Sequence, residues 1–129
     1  MEERFDILVV DDDLNLSSNL QDILEVAGYR TAVALNAETA LALCREKIFD
    51  LAIVDIYLPD ISGIELTKEL TSLSPEMTFI IMTGYASLGS AIIASRRRDI
   101  LAYVTKPVNI DNLLSLIRVA RDSVSRRQK

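Results

Sequence analysis

The chain of 129 residues contains no histidine. This absence excludes serine–histidine–aspartate and cysteine–histidine catalysis, zinc sites built on histidine, and a phosphohistidine carried on this chain. Any chemistry must therefore depend on carboxylates, hydroxyls and lysine.

Cysteine and long apolar runs are also missing. The single cysteine, Cys44, excludes an internal disulfide and is expected to be a small helix residue. No apolar run approaches the roughly 18 residues that span a bilayer. The acidic start, MEERFD, lacks the basic-then-apolar order of a signal peptide. These absences predict a cytoplasmic protein with no membrane segment.

The composition favours one compact domain. Only four glycines and three prolines occur, so long flexible linkers are not expected, and 50% of the residues are hydrophobic. We predict a single domain over residues 1–129, with a core at about 4–122 and a basic helical tail or the start of a linker at 123–129. The net charge of −5 argues against direct nucleic acid binding.

Short apolar runs alternate with segments of helical spacing. The predicted strands are 5–10, 31–35, 51–54, 78–82 and 101–104. The predicted helices are about 14–27, 37–47, 62–73, 86–97 and a last one that follows Asn109 and continues to about 126. Continuous apolar strands separated by helices are typical of parallel sheets covered on both faces. The pattern therefore predicts a doubly wound α/β fold.

Polar side chains follow four of the predicted strands. They are Asp11, Asp12, Asp13, Asp55, Thr83 and Lys106. The carboxyl ends of parallel strands meet at one edge of such a sheet, which is where ligands bind in these folds. We therefore expect these side chains to converge.

The acidic members of this set need a cation. Two carboxylates about 4 Å apart repel by about 4 kcal/mol at an effective dielectric constant near 20. Asp11, Asp12 and Asp55 offer hard oxygen ligands, which favour a magnesium-type ion. Asp13 is predicted instead to cap the first helix.

The remaining groups match phosphoryl chemistry. A metal ion, the Lys106 ammonium and the Thr83 hydroxyl together would hold a small dianion such as a phosphoryl group. One carboxylate can then act as a nucleophile and form an acyl phosphate. Asp55 is the better candidate because its strand is expected at the centre of the sheet.

Four stretches resemble the receiver domain of two-component response regulators, of the chemotaxis-regulator-like superfamily. They are ILVVDDD, DLAIVDIYLPDISGIEL, IIMTGYAS and YVTKPVNIDNLL. The MTGYAS run is most similar to receivers of nitrogen-regulator-like transcription factors and of some hybrid kinases. The resemblance implies a flavodoxin-like three-layer sandwich whose five strands lie in the order 2-1-3-4-5.

The resemblance also implies the site. Asp55 matches the phosphoacceptor of phosphorelay signalling. Asp11 and Asp12 match the acidic pair that binds Mg²⁺ (or Mn²⁺) together with Asp55, and the backbone carbonyl of Tyr57 matches the remaining protein ligand. Thr83 and Lys106 match the residues that hold the phosphoryl oxygens.

Further matches concern the conformational switch. Thr83 and Tyr103 match its hydroxyl and its aromatic residue, and Pro107 matches a proline that follows a cis peptide bond. The output surface would be the face formed by the fourth helix, fifth strand and fifth helix. Leu116 and Val119 on the fifth helix, and the run Arg96–Arg98, are either ordinary surface residues or part of a partner contact there.

The implied partners are a sensor histidine kinase or a histidine phosphotransfer protein as phosphodonor, and a second copy or an output domain at the switching face. The domain would be a signalling phosphoacceptor that catalyses its own phosphorylation and dephosphorylation rather than an enzyme. The sequence leaves open whether it acts alone or within a transcription factor or hybrid kinase.

Two positions depart from the family pattern. Asp99-Ile100 stands where many receivers have Gly-Ala, which bears on the loop before the fifth strand. Tyr57 is bulky at a position that tunes phosphate lifetime in the family.

Three alternative functions fit the sequence less well. A haloacid dehalogenase-type phosphatase needs an aspartate two residues after its nucleophile, where this chain has Tyr57. A flavodoxin-type cofactor binder needs a hydroxyl-rich phosphate loop where this chain has DDDLN. A pseudo-receiver, which binds partners without phosphorylation, would not need the complete acidic, hydroxyl and lysine set.

Overall fold

A computed structural model describes residues 4–127. The strands are β1 (Asp6–Val10), β2 (Arg30–Ala34), β3 (Leu51–Asp55), β4 (Thr78–Thr83) and β5 (Ile100–Thr105). The helices are α1 (Leu14–Val26), α2 (Ala37–Glu46), α3 (Gly63–Leu73), α4 (Ala86–Ala94) and α5 (Ile110–Arg127). Lys129, part of the predicted basic tail, lies outside the described residues. The division into core and tail stays a prediction.

The strands form one parallel sheet in the order β2-β1-β3-β4-β5, which confirms the predicted topology. Val10 pairs with Ala34 on one side and with Val54 on the other, so β1 and β2 end at the same level and β3 ends one residue later. Asp55 pairs with Met82, one residue before the end of β4. This register brings the strand ends, and the side chains that follow them, to one edge.

The sheet lies between two helical layers. Alternate residues of the three inner strands pack against α2, α3 and α4 on one face and against α1 and α5 on the other. Residues Asp6–Val10 and Leu51–Asp55 are buried throughout, whereas β2 and β5 at the sheet edges are partly exposed. The apolar runs of the inner strands are therefore continuous because both faces are covered.

The helices begin where their capping residues predict. Asp13, Asn36 and Ser62 accept hydrogen bonds from the backbone N–H three residues ahead, at 3.1, 2.8 and 3.1 Å. After α1 the chain turns at Gly28, whose φ of +100° is a conformation that other residues rarely adopt. Cys44 lies in α2, as predicted, where it is buried, and burial raises the pKa of its thiol to about 11.

The predicted end of α4 was wrong. The helix ends at Ala94 rather than at about 97, because Arg96 adopts a left-handed conformation with φ of 61°. Arg97 then turns back and forms an ion pair with Asp99 of the same chain. It is therefore not part of a solvated face or free for a partner's acid, whereas Arg96 and Arg98 remain exposed.

Two smaller predictions also differ. Leu116 is only half-exposed and packs against the core beneath α5, so it is not a free surface apolar residue, whereas Val119 is 49% exposed. Ala27, the last residue of the first predicted helix, follows the end of α1 as its exposed C-cap. Within residues 4–127, no helix is both long and apolar enough to cross a membrane.

Candidate functional site

Three carboxylates meet at the carboxyl edge of β1 and β3. Oxygen atoms of Asp11, Asp12 and Asp55 all lie within 4.8 Å of one another. Asp11 is fully buried and Asp55 is nearly so, whereas Asp12 faces solvent. The sequence-predicted acidic residues therefore converge, with one of them open to solution.

The backbone around Asp11 is fixed on both sides. Its N–H donates to the carbonyl of Ala34 at 3.1 Å, and its carbonyl accepts from the buried hydroxyl of Ser17 at 2.9 Å. One carboxylate oxygen of Asp11 accepts from the N–H of Asp13 at 2.9 Å. The Asp13 carboxylate caps α1 instead, so the three consecutive aspartates have separate structural roles.

Asp55 occupies the end of the central strand. Its Oδ1 accepts from the N–H of Tyr57 at 3.2 Å, which turns the following loop back over the site. Gly63 packs directly against the Asp55 carbonyl, and its N–H donates to the carbonyl of Ile56 at 2.7 Å. A short antiparallel bridge between Tyr57 and Ser62 closes this loop.

Lys106 lies between two of the acids. Its Nζ donates to Asp11 Oδ2 at 2.7 Å and to Asp55 Oδ2 at 2.9 Å. Partial burial disfavours the charged ammonium. The hydrogen bonds that Lys106 donates to Asp11 and Asp55 outweigh this effect and raise the pKa of Lys106. The peptide bond between Lys106 and Pro107 is cis, as the resemblance implies.

Thr83 and Tyr103 lie on adjacent strands beside the acids. Thr83 is fully buried, and its Oγ1 accepts from the N–H of Tyr85 at 3.0 Å. The Tyr103 ring packs on α4 at Gly89, and its hydroxyl lies 3.2 Å from that of Ser90. The two residues predicted to form the switch, Thr83 and Tyr103, thus lie on neighbouring strands, and the Tyr103 ring packs against α4.

Two exposed tyrosines flank the cluster. The rings of Tyr57 and Tyr85 contact each other edge to face, with centroids 6.3 Å apart and planes at 80°. Tyr57 lies in the loop after β3 and Tyr85 at the end of the loop after β4, so the ring contact connects these two neighbouring loops. Both side chains are about 60% exposed.

The donor set fits a divalent cation. Asp11, Asp12 and Asp55 carry three negative charges when ionised, and Lys106 neutralises one of them. The remaining two charges match one divalent ion, and the all-oxygen donors suit magnesium or manganese. The exposed side of the cluster at Asp12 leaves room for water or phosphoryl oxygens to complete the coordination.

Sequence reasoning missed several polar contacts. Arg97 Nη1 donates to Thr67 Oγ1 at 2.9 Å, and Arg97 and Thr71 both donate to Asp99. Burial opposes the charged form of Asp99, but the bonds from Arg97 and Thr71 outweigh it and lower its pKa. In the sequence, only the departure of Asp99 from the family's usual glycine pointed to this network. Nothing in the sequence indicated that Asp60 accepts a hydrogen bond from the start of α2.

Comparison with known proteins agrees with this geometry. The family model described as "Response regulator receiver domain" matches residues 7–118. The transcriptional regulatory protein ZraR of Klebsiella oxytoca is 42% identical over 111 residues, which are 86% of this chain and 25% of that protein. The chain thus spans about a quarter of this relative.

Solved structures are similar over nearly the full length. A receiver domain protein from Methanospirillum hungatei JF-1 has a TM-score of 0.87 at 37% identity, covering 97% of this chain and 99% of that one. The response regulator TrrA of Thermotoga maritima, solved with Mg²⁺ and BeF, has a TM-score of 0.78 at 33% identity, covering 90% and 98%. The chain belongs to the receiver domain family of two-component response regulators.

Proposed function

We propose that Asp55 accepts a phosphoryl group from a phosphohistidine on a partner protein, a sensor histidine kinase or a histidine phosphotransfer protein. The observation that carries the proposal is the position of the Lys106 ammonium, 2.9 Å from Asp55 and 2.7 Å from Asp11. A cation in this place neutralises the acceptor and is within reach of an incoming phosphoryl oxygen. These 129 residues contain no histidine, so the phosphohistidine must lie outside them.

The transfer forms one bond and breaks one bond. A carboxylate oxygen of Asp55 attacks phosphorus, the phosphorus–nitrogen bond of the donor breaks, and the imidazole leaves with a proton from solvent. Lys106 and Thr83 hold the transferred oxygens, and Asp11, Asp12 and the Tyr57 carbonyl would hold Mg²⁺ or Mn²⁺. Bound metal offsets the negative charge shared by nucleophile and phosphoryl group. The later hydrolysis occurs at the same residues, so no external substrate is turned over.

We propose that the donor protein docks in a groove next to Lys106. It measures about 620 Å³ and lies between α1 and the segment after β5. Its apolar lining consists of Leu16, Leu20, Ile23, Pro107, Val108 and Ile110. Because Lys106 itself borders the groove, a helix docked there would bring its histidine to the exposed side of Asp55. A cytoplasmic location and the identity of the donor stay predictions.

Phosphoryl uptake should depend on metal. We expect the protein to gain one phosphoryl mass when incubated with acetyl phosphate and Mg²⁺, because the charge on the acidic cluster is then neutralised. The intact mass measures the product directly, and Mn²⁺ should replace Mg²⁺. With excess chelator the gain should disappear. Uptake at the same rate without any divalent ion would contradict the metal role and favour a different acceptor site.

We further propose that phosphorylation changes the face formed by α4, β5 and α5. Thr83 would move towards the phosphoryl group, and Tyr103 would turn inward into the space that Thr83 leaves. Helix α4 carries no charged residue, and Ile93 on it and Val119 on α5 are exposed. An uncharged α4 with exposed apolar residues on this face supports contact with a second copy or an output domain.

The variant Gly89→Ala tests the position of Tyr103. A Cβ at residue 89 would lie 2.5 Å from Cγ and 2.8 Å from Cε2 of Tyr103, so the ring must leave α4 without phosphorylation. Alanine also favours the helical conformation over glycine by about 1 kcal/mol, so the substitution should not unfold α4. We expect shifted ring resonances of Tyr103 in NMR spectra of the unphosphorylated variant.

Ser90→Ala is the matched control, because it removes the hydroxyl near Tyr103 and leaves the ring its place on Gly89. Its ring resonances should shift much less than those of Gly89→Ala. Similar spectra for Gly89→Ala and the parent protein would show that residue 89 does not set the ring position.

A further inference from the structure

Asp60 connects the loop after β3 to the start of α2. Its Oδ1 accepts from the N–H of Ala37 and its Oδ2 from the N–H of Glu38, both at 3.0 Å. Asn36 caps α2 only at Thr39, so Asp60 satisfies two further N–H groups of the first turn. The bond from Ala37 foremost, with those from Glu38 and Ile61, lowers the pKa of Asp60.

The start of α2 is in turn connected to Asp11. The carbonyl of Ala34, the last residue of β2, accepts from the Asp11 N–H at 3.1 Å. Only Leu35 and Asn36 separate Ala34 from α2. Asp60 therefore closes a ring of contacts that joins the loop carrying the Tyr57 carbonyl to the segment carrying the acidic pair.

Few other directional contacts hold the tip of this loop in the described structure. The bridge between Tyr57 and Ser62 lies at its base, and Leu58 and Ile61 make only apolar contacts with the core. Pro59 and Asp60 are exposed. Apolar contacts limit how far the tip moves. Asp60 accepts one hydrogen bond from Ile61 within the loop, and its two bonds from Ala37 and Glu38 fix the position of the tip relative to α2.

We propose that Asp60 is a positioning residue for the metal site, which fixes the Tyr57 carbonyl relative to Asp11 and Asp12. Asp60 does not touch the metal; it acts through the loop and α2. The inference rests on the proposed metal-dependent function. A neighbouring group that orients a ligand typically changes metal affinity by about 10–100-fold when it is lost.

The test is Mg²⁺ titration of the full chain, followed by tyrosine fluorescence, since Tyr57 and Tyr85 flank the cluster and no tryptophan is present. Asp60→Ala should weaken Mg²⁺ binding about 10-fold. Asp60→Asn should weaken it less, because the amide oxygen retains one acceptor for α2. The asparagine variant also serves if the alanine variant does not fold.

Glu38→Gln is the control for charge. It removes one negative charge beside the same N–H groups and leaves the Asp60 bonds intact, so its Mg²⁺ affinity should stay near that of the parent. Hydrogen exchange of the metal-free protein gives a second readout. The amides of Ala37 and Glu38 should exchange faster in both Asp60 variants but not in Glu38→Gln.

The outcomes separate this inference from the proposed function. Equal weakening by Glu38→Gln and Asp60→Asn would show a charge effect and overturn the inference. Faster exchange with unchanged Mg²⁺ affinity would show that Asp60 only caps α2, which also overturns it. If the parent protein binds no Mg²⁺, the proposed function fails first and the inference fails with it.

Discussion

Asp55→Asn is expected to abolish phosphoryl uptake from acetyl phosphate and Mg²⁺ while the protein stays folded. The amide lacks the charged oxygen that attacks phosphorus, so an acyl phosphate does not form. The substitution also removes one of three neighbouring negative charges, and Lys106 keeps its bond to Asp11. The fold should therefore be at least as stable as that of the parent. Intact mass measures uptake, and thermal unfolding followed by circular dichroism measures stability.

Asp13→Asn is the matched control, because Asp13 belongs to the same run of acids but its side chain caps α1. Asparagine is an equally good cap, so both stability and uptake should remain close to those of the parent. A phosphoryl gain by Asp55→Asn at the parent's level would mean that another residue is the acceptor. The roles given to Lys106 and Thr83 would then also be lost.

Gly63→Ala should have the largest effect on stability. A Cβ at residue 63 would lie 2.9 Å from Val54 Cγ1 and would also overlap the carbonyl of Asp55. These atoms belong to the buried central strand and do not yield easily, so we expect a loss of about 3 kcal/mol in the free energy of unfolding. The surviving folded protein should accept phosphate more slowly, because relief of the overlap displaces Asp55. Urea denaturation and the rate of mass gain measure the two effects.

Gly84→Ala provides the comparison at the same edge of the sheet. A Cβ at residue 84 would meet nothing within 4 Å, and its backbone requires no positive φ. Its free energy of unfolding should change by less than about 0.5 kcal/mol. Equal stability of the two alanine variants would contradict the close packing described for Gly63.

The order of strands and helices was predictable because it depends on burial. Buried strands and half-buried helices leave different periods in the sequence, and parallel strands end at one edge. Polar side chains that bond residues far away in the sequence produce no such periodicity. Arg97 bonds Thr67, thirty residues away, so the helical spacing predicted a later end for α4 than the structure has.

The same distinction applies to the site. Asp11, Asp55 and Lys106 were recognisable because an acid or an ammonium directly after an apolar strand is unusual. Gly63 lies within DLAIVDIYLPDISGIEL, one of the stretches that resemble the family, but its contact with the Asp55 carbonyl depends on how two backbones approach. Asp60 is an exposed acid on a loop, which is common in any protein, and only its distances to α2 distinguish it.

The bridge made by Lys106 has a consequence for the resting protein. Its ammonium is covalently part of the chain, so neither dilution nor chelation removes this counter-ion from Asp11 and Asp55. Dissolved salts screen exposed charges over about 8 Å at physiological ionic strength but act much less on a partly buried pair. The receiver domain thus carries a permanent internal cation, which in the proposed function would pass from carboxylate to phosphoryl group.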